Sequence, residues 1–262
     1  MATTKLPEAG LWLKPNAKLT VQQFWLGAGF LAAVFICWWA AFTPEIIPSP
    51  LDVAAAFPKL LENNVLGELS TSFFLNLEAL VLSTIVSLGL AYASVVGLSK
   101  PISLSATKLR FISPIGYSFL LSVLFPSDHG LKLAYMVIGI SVFFTAGMLD
   151  AIAAIPPHKY DHARTLRKTE WQVVYYVVVR GTLAQAFDCI RGNAAMGWAM
   201  LTMVESLVRA EGGIGVMLYD QTHHLYLAES YALVLIVLAV GVLQDYGIVA
   251  LKRIVAPYDA KL

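Results

Sequence analysis

The sequence predicts an all-α polytopic membrane protein with six transmembrane helices. Three observations carry that prediction. Hydrophobic residues make up 58% of the 262 residues and charged residues only 13%, against roughly 25% charged in an ordinary soluble domain. The mean hydropathy is +0.70, so the polar surface cannot cover a water-soluble core. Apolar runs of about twenty residues, the length that crosses a bilayer as a helix, recur between short polar stretches. The same composition excludes disordered, collagen-like and disulfide-rich classes. A net charge of +1 argues against a nucleic-acid binder.

The first run, 24–42, carries no charge. Lys5, Lys14 and Lys18 precede it, but it is longer than a signal-peptide core and no A-x-A pattern follows, so it reads as an uncleaved first span. Trp25, Trp38 and Trp39 near its ends suit the bilayer interface. Pro44, Pro48 and Pro50 end it. Asp52 then reads as the N-cap of a short amphipathic helix carrying Val53, Phe57, Leu60 and Leu61.

The second span is 72–98, with Glu78 its one charge. A weaker third, 111–125, is closed by Pro126-Ser127-Asp128. The fourth is 131–155, and a polar stretch, 156–180, follows it. The fifth, 183–204, contains Asp188 and Arg191, and the sixth, 231–251, contains Asp245. In lipid each segment must satisfy its own backbone, so all six read as helices. Cys37 and Cys189, single cysteines inside spans, read as small packing residues.

Charge sets the orientation. Lys and Arg gather in the N-terminal tail, the Lys100 loop, the Pro156 loop and the C-terminal tail. The alternate loops carry mainly Glu45, Glu62, Glu68, Asp128, Glu211, Asp220 and Glu229. By the positive-inside rule both termini are expected on the cytoplasmic side. The expected organisation is a tail, 1–23, one transmembrane domain, 24–251, and a tail, 252–262.

The loop 156–180 reads as two short helices, 159–166 and 170–179, with Thr169 and Gln172 spaced as a capping box. Its stretch Ala163-Arg164-Thr165-Leu166, followed in register by Trp171-Gln172-Val173, resembles the cytoplasmic loop of the integral-membrane permeases of binding-protein-dependent ABC importers, of the nitrate/sulfonate/taurine type. Pro48-Ser49-Pro50-Leu51-Asp52-Val53 after span 1, and Val204-Glu205-Ser206 followed by Gly213-Ile214-Gly215, resemble two further segments of that family. The resemblance runs over about residues 45–257. The chain departs from the family pattern at Asp161, His162 and Arg180, and at Arg167, where the family has a turn glycine. Arginine takes a positive φ only at a cost, so a reshaped turn is expected there.

The resemblance implies a type I ABC importer permease fold and a role in solute import. It implies as partners two ATP-binding subunits, a second permease copy (the same chain or a different one), a periplasmic or lipid-anchored solute-binding protein and the lipid bilayer, with no nucleic acid. The location it implies is the bacterial cytoplasmic membrane. The chain has no G-x-x-x-x-G-K-[ST] loop, so it is expected to bind no cofactor and to perform no catalysis. ATP and Mg would sit on the partner subunits. The residues implied in coupling are Tyr160, Asp161, Ala163, Arg164, Leu166, Trp171 and Gln172. The solute is expected to be a small anion such as nitrate, bicarbonate or a sulfonate.

Polar groups inside spans mark pathways or pair with one another. Glu78, Asp188, Arg191, Asn193 and Glu205 are the pathway candidates. Asp188 and Arg191, three residues apart on one helical face, read first as a self-neutralising pair at the cytoplasmic end of span 5 and second as pathway groups. Arg191 and Arg209 are the cations expected to meet an anionic solute. Two alternatives stand beside this reading. One is a divergent, mainly structural subunit of a heterodimeric transporter. The other is an intramembrane zinc enzyme using His158 and His162, which are spaced i, i+4 but have no evident third ligand.

Overall fold

The computed structural model describes residues 20–41, 47–97, 100–112 and 114–257. Lys5, Lys14, Lys18, Pro44 and Glu45, most of the N-terminal tail and the last five residues lie outside them. Among the described residues every regular element is helical. Four helices are long and apolar enough to cross a bilayer: α1 (Val21–Ala41), α3 (Val65–Ala93), α6 (Asp128–Ala153) and α11 (Leu227–Val255). A bent pair, Glu170–Val179 and Leu183–Leu207, set at 48°, is long and apolar enough only when its parts are taken together, and its second, longer part is the apolar one that the sequence reads as span 5. Its second part is α9 (Leu183–Leu207).

Two of the helices, α6 and α2, begin at a capping serine. Ser127 caps α6 by accepting a hydrogen bond from the Gly130 amide at 3.2 Å. Ser49, not Asp52, is the N-cap of α2 (Pro50–Glu62). Asp52 is the third helical residue, and its carboxylate reaches back to the Ser49 amide at 3.0 Å. The expectation was three residues late because Ser49-Pro50 places the cap and first-turn proline together, and Asp52 completes the reciprocal box.

The third expected span is not one helix. After α4 (Lys100–Ala106) and a 3₁₀ stretch Thr107–Phe111, the expected span holds a second 3₁₀ stretch at Pro114–Tyr117 and then α5 (Ser118–Leu124). Pro101 and Pro114 sit in this stretch and Pro126 closes it. Proline removes a backbone donor from the helical ladder, which favours short pieces over one continuous helix.

Packing centres on α3, α6 and α9. The face that α3 buries carries Ser72, Asn76, Ala79, Ser83, Ser87 and Ala91. These mostly small residues recur every three or four positions and let α6 approach closely, as small-residue stripes do in membranes. The Ser87 hydroxyl donates across the seam to the Ser141 carbonyl at 3.1 Å. One core joins Leu75, Leu121, Met136, Ile140, Trp198 and Leu201. A second joins α2 to α10 (Ile214–His223) and α11 through Val53, Leu60, Ile214 and Leu233. By contrast α1 is apolar all round and exposes Phe30, Leu31, Phe35 and Trp38. Cys37 shares that exposure and is not a packing residue. A helix apolar on every face without protein cover is a lipid-facing span.

Candidate functional site

The two stretches that the sequence marks out form two polar sites. The first is the loop between α6 and α9. Helix α7 (Pro157–Thr165) starts with Pro157 at its first position and ends at Leu166. The chain then turns through Arg167, whose φ is 54°. That is the left-handed conformation a glycine would take after a helix C-terminus. The turn therefore has the geometry of a helix-ending glycine turn, and the expected reshaping is absent. Thr169 caps the next helix, α8 (Glu170–Val173), and its amide donates to the Gln172 carboxamide at 3.1 Å. The capping box expected from the sequence is present.

The Arg164 guanidinium closes this hairpin by donating to both oxygens of Glu170, at 3.1 and 3.2 Å. Asp161 lies 3.7 Å from the same guanidinium. Both carboxylates hold the Arg164 pKa above its ordinary value, Glu170 more strongly. Ala163 is buried inside the hairpin, and Tyr160 is half-buried with its phenol pKa raised by burial. Leu166, Trp171, Tyr175 and Tyr176 are exposed, Trp171 to 73%. This is an aromatic, apolar patch on a cationic hairpin.

The second loop helix does not continue as an α-helix. Val174–Val179 is a π-helix, marked by the Arg180 amide donating five residues back to the Tyr175 carbonyl at 2.9 Å. A Cβ at Gly181 would lie 2.0 Å from the Val177 carbonyl oxygen, so the bend into α9 requires glycine. Such bulges are frequent at functional bends.

The second site lies at the opposite end of α9. Here α10 begins at Gly213, φ 117°, and the three amides of its first turn all find side-chain acceptors. The Gly213 amide donates to Glu68, the Ile214 amide to the Ser72 hydroxyl at 2.8 Å, and the Gly215 amide to Glu205 at 2.7 Å. Ser72 in turn donates to Glu205 at 2.6 Å. Two carboxylates at a helix N-terminus are favourable for the dipole as well as the orphan amides. Lys132, only 1% exposed, donates to the Gly212 carbonyl at 3.0 Å and lies 4.0 Å from Glu211. A Cβ on Gly213 would fall 2.3 Å from Glu205, so the turn admits no other residue without displacement.

The pathway candidates separate. Glu205 is fully buried in this network. Glu78, half-exposed, meets His129 at 3.1 Å. Asn193 is buried and donates to the Cys189 carbonyl of its own helix at 2.7 Å. Asp188 and Arg191 do not pair with each other. Asp188 accepts from Lys252 at 2.8 and 2.9 Å, and Arg191 holds Asp245 through both nitrogens. Sequence spacing placed both on one face of α9 but could not show that α11 brings a complementary charge to each. Arg209, likewise, is bound to Asp220. His158 and His162 stand exposed on α7, and among the described residues no three His, Cys, Asp or Glu side chains gather to hold a metal.

Sequence reasoning missed Lys132, Glu68 and Ser72. The signal for Lys132 was present: it is a cation at the second position of the fourth apolar run.

Comparison with known proteins places the fold. No family model matches the chain. The taurine transport system permease protein of Escherichia coli K12 is 23% identical over 257 residues, covering 92% of each chain. The bicarbonate transport system permease protein of Synechococcus elongatus is 22% identical over 182 residues, 65% of this chain and 66% of that one. Its Synechocystis counterpart is 24% identical over 108 residues, 41% of this chain and 39% of that one. A solved structure described as an amino acid ABC transporter with histidines superposes with a TM-score of 0.58 at 15% identity, over 79% of this chain and 98% of that one. The low identity of that structure speaks for the fold alone. The loop motif, the multi-pass helical fold and the permease relatives agree, and the chain is similar to integral-membrane permeases of ABC importers for taurine, over nearly its whole length, and for bicarbonate.

Proposed function

We propose that this chain is the solute-pathway subunit of an importer for a small anion, and that it converts closure of two ATP-binding subunits into alternating access. Taurine and bicarbonate are the solutes named for its relatives, and nitrate or another sulfonate fits the same class. The chain crosses the cytoplasmic membrane of a bacterium six times, counting 111–125 as the third crossing, with both termini inside. A second permease copy completes the pathway, and a periplasmic or lipid-anchored binding protein delivers the solute. ATP and Mg are held by the partner subunits.

The observation that carries this reading is the 157–179 hairpin. It is locked internally by Arg164–Glu170, presents Trp171, Tyr175, Tyr176 and Leu166 outward, and joins α9 through the bend at Gly181. Aromatic side chains on a pre-ordered hairpin are the composition of a protein-docking hot spot. The turn at Arg167, which keeps the geometry a glycine would give it, favours a working hairpin over a degenerate one, and so a coupling subunit over a purely structural one.

The test is co-purification of the full chain with the ATPase encoded beside it. Trp171→Ala and Arg164→Ala should each weaken the association by about tenfold or more, and should lower solute-stimulated hydrolysis. Unchanged association and unchanged hydrolysis in both variants would overturn the coupling role.

A further inference from the structure

A cavity of about 550 Å³ opens between the broken third segment and the middle turns of α6 and α9. On α9 its wall is Met196, Met200 and Met203, spaced i, i+4, i+7 on one face. Gly139 of α6 lets Met200 into the wall: a Cβ there would lie 2.1 Å from the Met200 Cε. Phe143 and Tyr117 add aromatic surface, and Arg110 supplies the one charge among the lining residues. The volume is that of a site for a small organic molecule, and an apolar wall with few polar groups is the usual composition of one. Methionine walls adapt to more than one shape.

Two further facts concern what this cavity faces. The segment beside it consists of helical pieces of 7, 5, 4 and 7 residues. Every short helix leaves backbone donors and acceptors at its ends. At membrane depth such backbone is tolerated only inside protein or along a water-filled cavity, never against lipid. The second fact is charge. Arg191 and Arg209, the cations expected to meet an anion, are each bound to a carboxylate. Arg110 makes no ion pair among the described residues, and its guanidinium lies 5.1 Å from the Phe111 ring centroid.

Resting on the pathway reading above, we infer that this cavity is the solute site of the pathway, that it takes an organic anion with an apolar body, and that Arg110 selects the charge. A bare inorganic anion would leave the methionine and aromatic wall unused. An organic cation would meet the guanidinium without a compensating acid.

The test uses the full chain in nanodiscs of zwitterionic lipid, with Cys37→Ala, Cys189→Ala and Met203→Cys, and follows maleimide labelling of the new cysteine. Met203 is 37% exposed, so it is reachable. Hexanesulfonate should slow labelling, while hexyltrimethylammonium and nitrate at the same concentration should not. Arg110→Gln should weaken the sulfonate protection about tenfold, and Arg110→Lys should keep most of it. Equal protection by the cation, or unchanged protection in a monodisperse Arg110→Gln protein, overturns the charge assignment. Equal protection by nitrate overturns the apolar-body assignment. Protection by phosphatidylglycerol in the disc, with none added by sulfonate, makes the occupant a membrane lipid and overturns the solute site. Co-purification with the ATPase decides the pathway reading separately: if association holds and protection fails, this inference alone falls.

Discussion

Replacing Lys132 with methionine keeps the volume and removes the charge, so it isolates what the buried ammonium does. Two losses follow. The Gly212 carbonyl loses the donor at 3.0 Å, and leaving a buried polar group unpaired costs about 1–3 kcal/mol. The acidic groups around it, Glu211 at 4.0 Å and Glu205 within electrostatic reach, lose their cation. Breaking a fully buried pair costs about 3–5 kcal/mol, but Glu211 is more than one third exposed, so the lower end applies. A destabilisation of about 3 kcal/mol corresponds to a fall of roughly 6–12 °C in the melting midpoint for a chain of this size. Thermal unfolding of the detergent-purified chain reads it. Glu205→Gln removes the negative side, and the double variant should recover at least about 1 kcal/mol relative to the sum of the singles, as coupled neighbours do. A shift under about 2 °C, or strict additivity, would show that Lys132 only fills space.

Two further outcomes follow from local geometry. Arg167→Gly should raise the melting midpoint, by up to about 1 kcal/mol of stability, because it relieves the left-handed strain at φ 54° against a smaller gain in unfolded-chain entropy; a lower midpoint would refute this. Helix α2 should loosen in acid, since the Ser49 hydroxyl and amide hold the Asp52 carboxyl below its usual range. A depressed native pKa means that the stabilisation is present above the ordinary carboxylate value and is lost as pH falls through the lowered one. Amide exchange in α2 should therefore accelerate below about pH 4 in the native chain and not in Asp52→Asn, which lacks the titration.

Much of the fold was legible because membrane spans are written in composition. The runs at 24–42, 131–155 and 231–251 agree with α1, α6 and α11 to within a few residues, since only a helix satisfies a lone apolar segment in lipid. The hairpin was legible from its capping signals, Thr169 with Gln172. The third segment was less so: hydropathy averages over Pro101 and Pro114, whose effect is on backbone geometry. The candidate sites were harder still. Spacing along one helix joined Asp188 to Arg191, yet the partners, Lys252 and Asp245, lie more than fifty positions away. Glu205 was legible as a charge near a span end, but its acceptor role depends on α10 turning back over Ser72. Long-range pairing of this kind leaves no periodic trace.

Those two ion pairs have a mechanical consequence. Asp188–Lys252 and Arg191–Asp245 fasten the first turns of α9 to the last turns of α11, about one helical turn apart on α9 and two on α11. Two fastenings at separate heights resist rotation as well as sliding, where one would act as a swivel. The compliant point is therefore the bend at 180–182, immediately before the fastened segment. A torque applied to the hairpin is taken up at that bend or delivered to α9 and α11 together as a single stiff strut, and it reaches the Glu205 network at the far end of α9 along about 25 residues of unbroken helix.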